Sequence, residues 1–382
     1  MKRSHLSLSG FYLFYYGGMG IYLPFLPLFL ASRHLDSFHV GILMALGPLT
    51  SILAQVVWGN LADRTNRRKE FLNVAVLGTA LVCFFLAQGK SMAGFAFLLF
   101  VYATFNSAIT PLADSLVMNT LTDSQEYGKV RRWGSFGFAL TGAAGGMLFT
   151  HISVGYFGMV AGIVFLLTLG WSVDLANPRE RPRHQGLAYS PLHQVLHTPG
   201  IFHLLGIAFL FMVPYNAYTA FLGWHLQALG ATRVYIGLAW TIAALSEVLV
   251  FSFGAYWLKR FSAQKLMVTA GLVFMFRWLA YALITDYGAI VAIQVSQSLS
   301  FALFYLAAVE YLTKLVPIQL QSSAQGLLQA TSFGISAIVG SLVGGWFLQH
   351  SSLLTFYLTW AAMALLGALG ALFWLDEQPF SA

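Results

Sequence analysis

The chain has 382 residues, 58% of them hydrophobic and only 9% charged, with a mean hydropathy of +0.73. A water-soluble surface draws on roughly 25% charged residues, so this composition excludes an ordinary soluble domain and makes lipid the surrounding medium. The net charge of +7 is spread through short loops rather than gathered on one basic face, which argues against nucleic acid as a partner, and a single cysteine, Cys83, excludes a disulfide framework.

Apolar runs of about 20 residues can each cross the hydrocarbon core as a helix. The first, from Leu8 to Leu30, follows Lys2 and Arg3 like a signal peptide, but it is too long for one and has no small-residue cleavage site. It therefore reads as a span. Further spans are expected near 38–61, 71–88, 92–120, 130–150, 154–173, 200–227, 234–258, 265–284, 288–313, 322–348 and 353–375, twelve in all, with more than one way to cut 130–173. The longest polar stretch, Asp174 to Pro199, holds Pro178, Arg179, Arg181, Pro182 and Arg183 and divides the spans six and six. The expected domains are a six-helix bundle over 1–173, a cytoplasmic linker over 174–199 and a second six-helix bundle over 200–382. That is the layout of transporters built from two related halves.

Loop charge sets the expected orientation. With the N-terminus in the cytoplasm, only Arg33, Lys90 and Arg233 fall in outer loops and Arg277 falls inside a span. Every other Lys and Arg faces inward. The positive-inside rule then puts both termini in the cytoplasm. Glycine and proline punctuate the spans, with Gly17, Gly18, Gly20, Pro24 and Pro27 in the first and Gly134, Gly137, Gly142, Gly145 and Gly146 in the fifth. Small residues let helices approach closely in lipid. Trp58, Trp171, Trp224, Trp257, Trp346 and Trp374 read as interfacial anchors.

Glu247 and Arg277 carry the strongest chemical signal. Each lies about eleven or twelve residues from the inner end of its span, roughly 17 Å deep at 1.5 Å per residue. Burying either charge alone costs about 2.5–3.5 kcal/mol or more, so equal depth on neighbouring antiparallel spans predicts that they pair. A buried carboxylate with a displaceable partner changes its protonation with conformation, which is the chemistry of proton coupling. Asp114 and Arg131, near the inner ends of spans four and five, form a second acid–arginine set. Glu310 and Lys314, four apart, read as an ordinary helix pair, and Gln294, Gln297, Asn216, Tyr215 and Tyr218 could supply hydrogen bonds in a cavity or merely bridge helices. His193 and His197 have no acidic third ligand nearby, and no phosphate-binding loop, H-E-x-x-H or G-x-S-x-G string occurs, so no metal, no cofactor and no enzymatic chemistry is expected.

The loop after the second span reads Gly59-Asn60-Leu61-Ala62-Asp63-Arg64-Thr65-Asn66-Arg67-Arg68-Lys69. It resembles the G-x-L-A-D-R-x-G-R-R/K signature of the major facilitator superfamily, with Asn66 in place of the second glycine. That resemblance implies an all-α membrane fold of twelve helices in two six-helix bundles and assigns Gly59, Asp63, Arg64, Arg67 and Arg68 to conformational gating. Two further strings, Phe11-Tyr12-Leu13-Phe14 to Pro27 and Asn106 to Asp114 followed by Tyr127 to Gly137, resemble the lactose-permease and phenylpropionate-permease branches. This resemblance implies that Asp114 and Arg131 contact substrate; Arg277, Asn216, Tyr215, Phe138 and Gln297 complete the expected substrate-binding set, and Glu247 and Asp114 are the expected proton carriers. The sequence departs from the lactose-permease pattern at Gln297, Ser300, Asn216 and Phe138, where a histidine, a second acid, a third acid and a tryptophan are usual.

The function expected on these grounds is secondary active transport by alternating access, two halves rocking about a central site in the bacterial inner membrane. Two arginines suit a carboxylate, so proton symport of an aromatic or other small organic acid such as phenylpropionate is the favoured reading. A proton-coupled sugar or nucleoside symporter is the runner-up, ahead of a drug/proton antiporter or a non-transporting receptor. The expected partners are a small solute, protons and the bilayer, with the chain acting as a monomer.

Overall fold

A computed structural model describes residues 2–65, 67–120, 124–175 and 192–376. Among them there is no strand. Fourteen helices carry the chain: α1 (Lys2–Ala31), α2 (Ser37–Thr65), α3 (Arg68–Leu86), α4 (Met92–Thr120), α5 (Ser124–His151), α6 (Phe157–Val173), the short α7 (Leu192–Leu196), α8 (Ile201–Ala228), α9 (Arg233–Ser252), α10 (Gly254–Arg260), α11 (Ala263–Leu283), α12 (Tyr287–Leu315), α13 (Ile318–His350) and α14 (Leu353–Trp374). Eleven of these are long and apolar enough to span a bilayer. The twelfth expected span lies in α5, whose first three turns hold Glu126, Lys129, Arg131 and Arg132 and whose later turns are rich in glycine. The ambiguous stretch 130–173 is cut after His151, where Ser153 caps a single turn, Val154–Tyr156, that leads into α6. The linker expected at 174–199 lies mostly outside the described residues.

Turn chemistry explains the sharp ends. Gly230 adopts φ +83°, a left-handed value that glycine reaches without strain, and Ala231 N–H returns to Leu226 O at 2.9 Å, closing α8 with a Schellman turn. Asp36 caps α2 by accepting from His39 N–H at 2.9 Å. That backbone hydrogen bond, helped by the His39 ring, holds the Asp36 carboxyl below its ordinary value. The cap is therefore complete at neutral pH and is lost as pH falls through the lowered value.

By packing, the chain divides into two compact units, Met1–Arg183 with Leu222–Thr241, and His184–Phe221 with Ile242–Ala382. In the first unit α1 lies against α5 and α6, and α4 lies against α2 and α3. Glycine sets the close approaches. A Cβ on Gly137 would sit 2.0 Å from Leu13 O of α1, and one on Gly158 of α6 would sit 2.2 Å from Cys83 O of α3. The Leu222–Thr241 segment joins this unit through the same device. Gly237 of α9 lies so close to α5 that its Cβ would meet Gly142 O at 2.2 Å, Thr241 Oγ1 donates to Ala139 O at 2.8 Å, and Arg233 Nη1 donates to Phe149 O at 2.5 Å. Gly137→Ala is expected to force α1 and α5 apart at a cost of about 1–3 kcal/mol, read as a lower midpoint of thermal aggregation in detergent. An unchanged midpoint would mean that the backbones relax freely there.

In the second unit α11 packs on α14 and α12. Its core is aromatic. Phe211, Phe274, Trp278, Tyr281, Tyr357 and Trp360 are all buried. Of the tryptophans read as interfacial anchors, Trp346 and Trp374 are about half exposed, but Trp58 donates its indole N–H to Thr104 O at 2.7 Å and Trp171 covers Gly10. Those two serve helix packing. Glu310 and Lys314 form the expected i,i+4 pair at 2.8 Å.

Candidate functional site

Arg277 sits in the middle of α11 with 2% of its surface exposed. A guanidinium has five N–H donors in a fixed planar fork, and here every one is used. Nε donates to Tyr281 Oη at 3.1 Å, Nη1 to Gln297 Oε1 at 2.5 Å and Ser300 Oγ at 3.3 Å, and Nη2 to Tyr218 Oη at 3.0 Å and Gln294 Oε1 at 2.8 Å. The rings of Tyr218, Trp278 and Tyr281 also lie 4.7–5.5 Å from the guanidinium carbon, adding cation–π attraction in a dry setting.

The local geometry of α12 makes this cage. One turn, Gln294–Ser296, winds at three residues per turn, so Gln294 and Gln297 eclipse each other and face the same way. The next five residues, Ser298–Ala302, form a widened π turn, and Ser300 within it reaches the same guanidinium. A uniform α-helix, at 3.6 residues per turn, would have turned Gln297 about 60° away from Gln294.

Glu247 does not pair directly with Arg277, contrary to the expectation from their matched depths. Gln297 stands between them, accepting from Arg277 through Oε1 and donating through Nε2 to Glu247 Oε1 and to Tyr215 Oη, each at 3.0 Å. The physical reason is that amides and phenols satisfy the guanidinium completely without a second buried charge. Depth alone could not reveal this, because it says nothing of side chains on α12. Chemistry fixes the amide's orientation, since arginine only donates and an ionised carboxylate only accepts. Asn216 serves another contact. Its Nδ2 donates to Met212 O and to Ser332 O at 2.9 Å, tying α8 to the π turn of α13, Ala330–Ile335.

The first unit holds the other acid–arginine set, and again phenols mediate it. Tyr12 donates its hydroxyl to Asp114. Arg131 Nη2 donates to Tyr16 Oη at 2.5 Å, and its guanidinium lies over the Tyr16 ring at 4.1 Å and the Tyr12 ring at 5.4 Å. Gly134 makes the room, because a Cβ there would sit 2.7 Å from the Tyr16 ring and 3.0 Å from Arg131 Nη1. Phe138, one turn on, faces Trp240 at 6.1 Å between centroids. No site role is assigned to Tyr12, Tyr16 or Tyr281 from the sequence. The signal available was i,i+4 spacing, Tyr12 to Tyr16 on α1 and Arg277 to Tyr281 on α11.

Around the signature loop, Gly59 has open space beside it, Arg64 is exposed, and Arg67 pairs with Glu70 at 2.6 Å. Lys69 Nζ donates to Leu175 O at 2.5 Å, tying the start of α3 to the end of α6. Arg68 opens α3, while the Asp63 side chain and Asn66 lie outside what is described.

Comparison with known proteins agrees with this architecture. Residues 5–359 match the sequence profile described as the MFS_1 like family. A maltose permease of Geobacillus stearothermophilus is 30% identical over 366 residues, 94% of this chain and 91% of that protein. A probable 3-phenylpropionic acid transporter of Escherichia coli (strain K12) is 24% identical over 89% of this chain and 90% of its own length. Among solved structures, the nucleoside transporter NupG superposes with a TM-score of 0.85 over 98% of this chain and 99% of that one, at 15% identity. A D-xylose–proton symporter gives 0.75 over 98% of each. At such low identities these two likenesses speak to the fold.

Proposed function

Because the chain belongs to the MFS_1 like family and is a multi-pass secondary transporter of the major facilitator type rather than an enzyme, we propose that it carries a neutral, polyhydroxylated solute of the sugar class in symport with protons. The observation that carries this reading is the complete saturation of Arg277. With all five donors spent on protein oxygens, it has none left to clamp a carboxylate.

Glu247 is in the opposite position. Its carboxylate has room for roughly four hydrogen bonds and, among the described residues, receives one, from Gln297. Spare acceptors on this half-buried carboxylate suit hydroxyl donors, and would repel the carboxylate of an organic acid. The maltose permease relative supports the same class. The rival reading, an aromatic acid, rests on Arg131, which spends one donor on Tyr16, and on the phenylpropionic acid relative.

Proton coupling follows from the Gln297 bridge. An ionised Glu247 pulls on the Gln297 amide, which also holds Arg277 and Tyr215. Protonation weakens that pull, and solute hydroxyls take the place of the released contacts. In this reading Asp114, Arg131 and Phe138 of the first unit also contact the solute, the signature loop gates the cycle, and the chain lies in the bacterial inner membrane with both termini cytoplasmic.

The test is uptake into proteoliposomes of labelled maltose, glucose, uridine and 3-phenylpropionate, with and without an inside-alkaline gradient. Saturable sugar uptake that a protonophore abolishes is the expected result. Gradient-driven uptake of 3-phenylpropionate alone would overturn it.

A further inference from the structure

At the end of the first unit opposite the N-terminus lies a half-open cavity of about 370 Å³, within the ~300–1,000 Å³ range of small-ligand pockets. Its wall brings together Leu28 of α1, Ser32 just past the end of α1, Val154, Trp224 and Gln227 of α8, and Arg233 of α9. The Schellman turn at Gly230 is what folds α9 back so that Arg233 faces the same space as Trp224 and Gln227.

We propose that this cavity is a binding site for a small aromatic carboxylate, separate from the Glu247–Arg277 centre. The donors there are unspent. Arg233 uses Nη1 on Phe149 O, leaving Nε and Nη2, the edge of the fork that grips a carboxylate bidentately. Among the described residues, neither the Trp224 indole N–H nor the Gln227 amide has a hydrogen-bond partner. Among the described residues no acidic side chain lines the cavity, so the full charge on its wall is the positive one of Arg233. Leu28, Val154 and the Trp224 ring supply an apolar flank for an aromatic body. Donors without carboxylates distinguish this site from the sugar-suited centre, where Glu247 provides acceptors.

A ligand held here touches α1 on one side and the α8–α9 turn on the other. It therefore fastens the Leu222–Thr241 segment down onto α1. Since α5 already grips that segment through backbone contact at Gly142 and Gly237, occupancy adds a second clamp.

The test uses the full-length protein in neutral phosphatidylcholine nanodiscs and ¹⁹F NMR of 4-fluorobenzoate, with 4-fluorobenzamide as its uncharged twin. Saturable benzoate binding is expected, with the benzamide at least about tenfold weaker. Arg233→Gln should weaken benzoate by about tenfold or more, and Arg233→Lys, which keeps the charge but not the fork, by less. Amide exchange across 222–241 should slow with benzoate in the parent protein but not in Arg233→Gln. Equal binding of the two probes overturns the proposal. So does benzoate affinity that Arg233→Gln leaves intact, or no binding to a parent protein that elutes as a single folded species.

Discussion

Glu247→Gln is expected to abolish gradient-driven accumulation of solute while leaving exchange of solute for solute largely intact. Glutamine keeps the size of the side chain and its carbonyl still accepts from Gln297, but it cannot take up or release a proton. The variant is in effect held in the protonated, solute-accepting form. If the carboxylate provides the coupling, accumulation against a gradient should fall by at least about two orders of magnitude, because coupling is lost rather than slowed. Counterflow, which needs binding and reorientation alone, should stay within roughly tenfold of the parent. Both are measured in the same proteoliposomes. Normal accumulation in this variant would remove Glu247 from the coupling step and leave Asp114 as the candidate.

The second large effect belongs to Arg277→Lys, and its sign separates two roles. A substrate hook would tolerate lysine in part, since the charge survives. A cage built around five donors would not. Lysine has three N–H donors on a single nitrogen, so at least two of the five contacts to Tyr281, Gln297, Ser300, Tyr218 and Gln294 are lost. Each buried polar group left without a partner costs about 1–3 kcal/mol. The expected outcome is a destabilisation of at least about 2 kcal/mol, seen as a lower thermal midpoint by temperature-dependent size-exclusion chromatography. Transport should fall at any solute concentration, because Gln297 is no longer held toward Glu247. Parent-like stability with only a raised KM would show that the guanidinium holds solute after all.

Much of this was legible in the residues. The spans are long apolar runs that only a helix can satisfy in lipid, and the Gly59–Lys69 string carries the superfamily signature. Harder to read was which atoms meet. Glu247 and Arg277 are matched in depth, yet the contact runs through Gln297, because a three-residue turn and a π turn in α12 change the helical phase. Such departures from 3.6 residues per turn leave little mark in a run of apolar and small polar residues. The same holds for α5. Its glycines announced close packing, but not that Gly142 and Gly146 would draw Leu222–Thr241 into the first unit, since that depends on backbone atoms of a helix far along the chain. Nor does the presence of an arginine reveal that, once buried, it is fully occupied by neutral partners.

Cys83 is the single cysteine of the chain, and it lies on α3 with none of its surface exposed, beneath Gly158. A water-soluble maleimide should therefore pass over the native protein. Cysteines introduced in pairs, one in each unit, could be spin-labelled without first stripping the background thiol, and the distances between labels would follow each unit through the working cycle in an otherwise unaltered molecule.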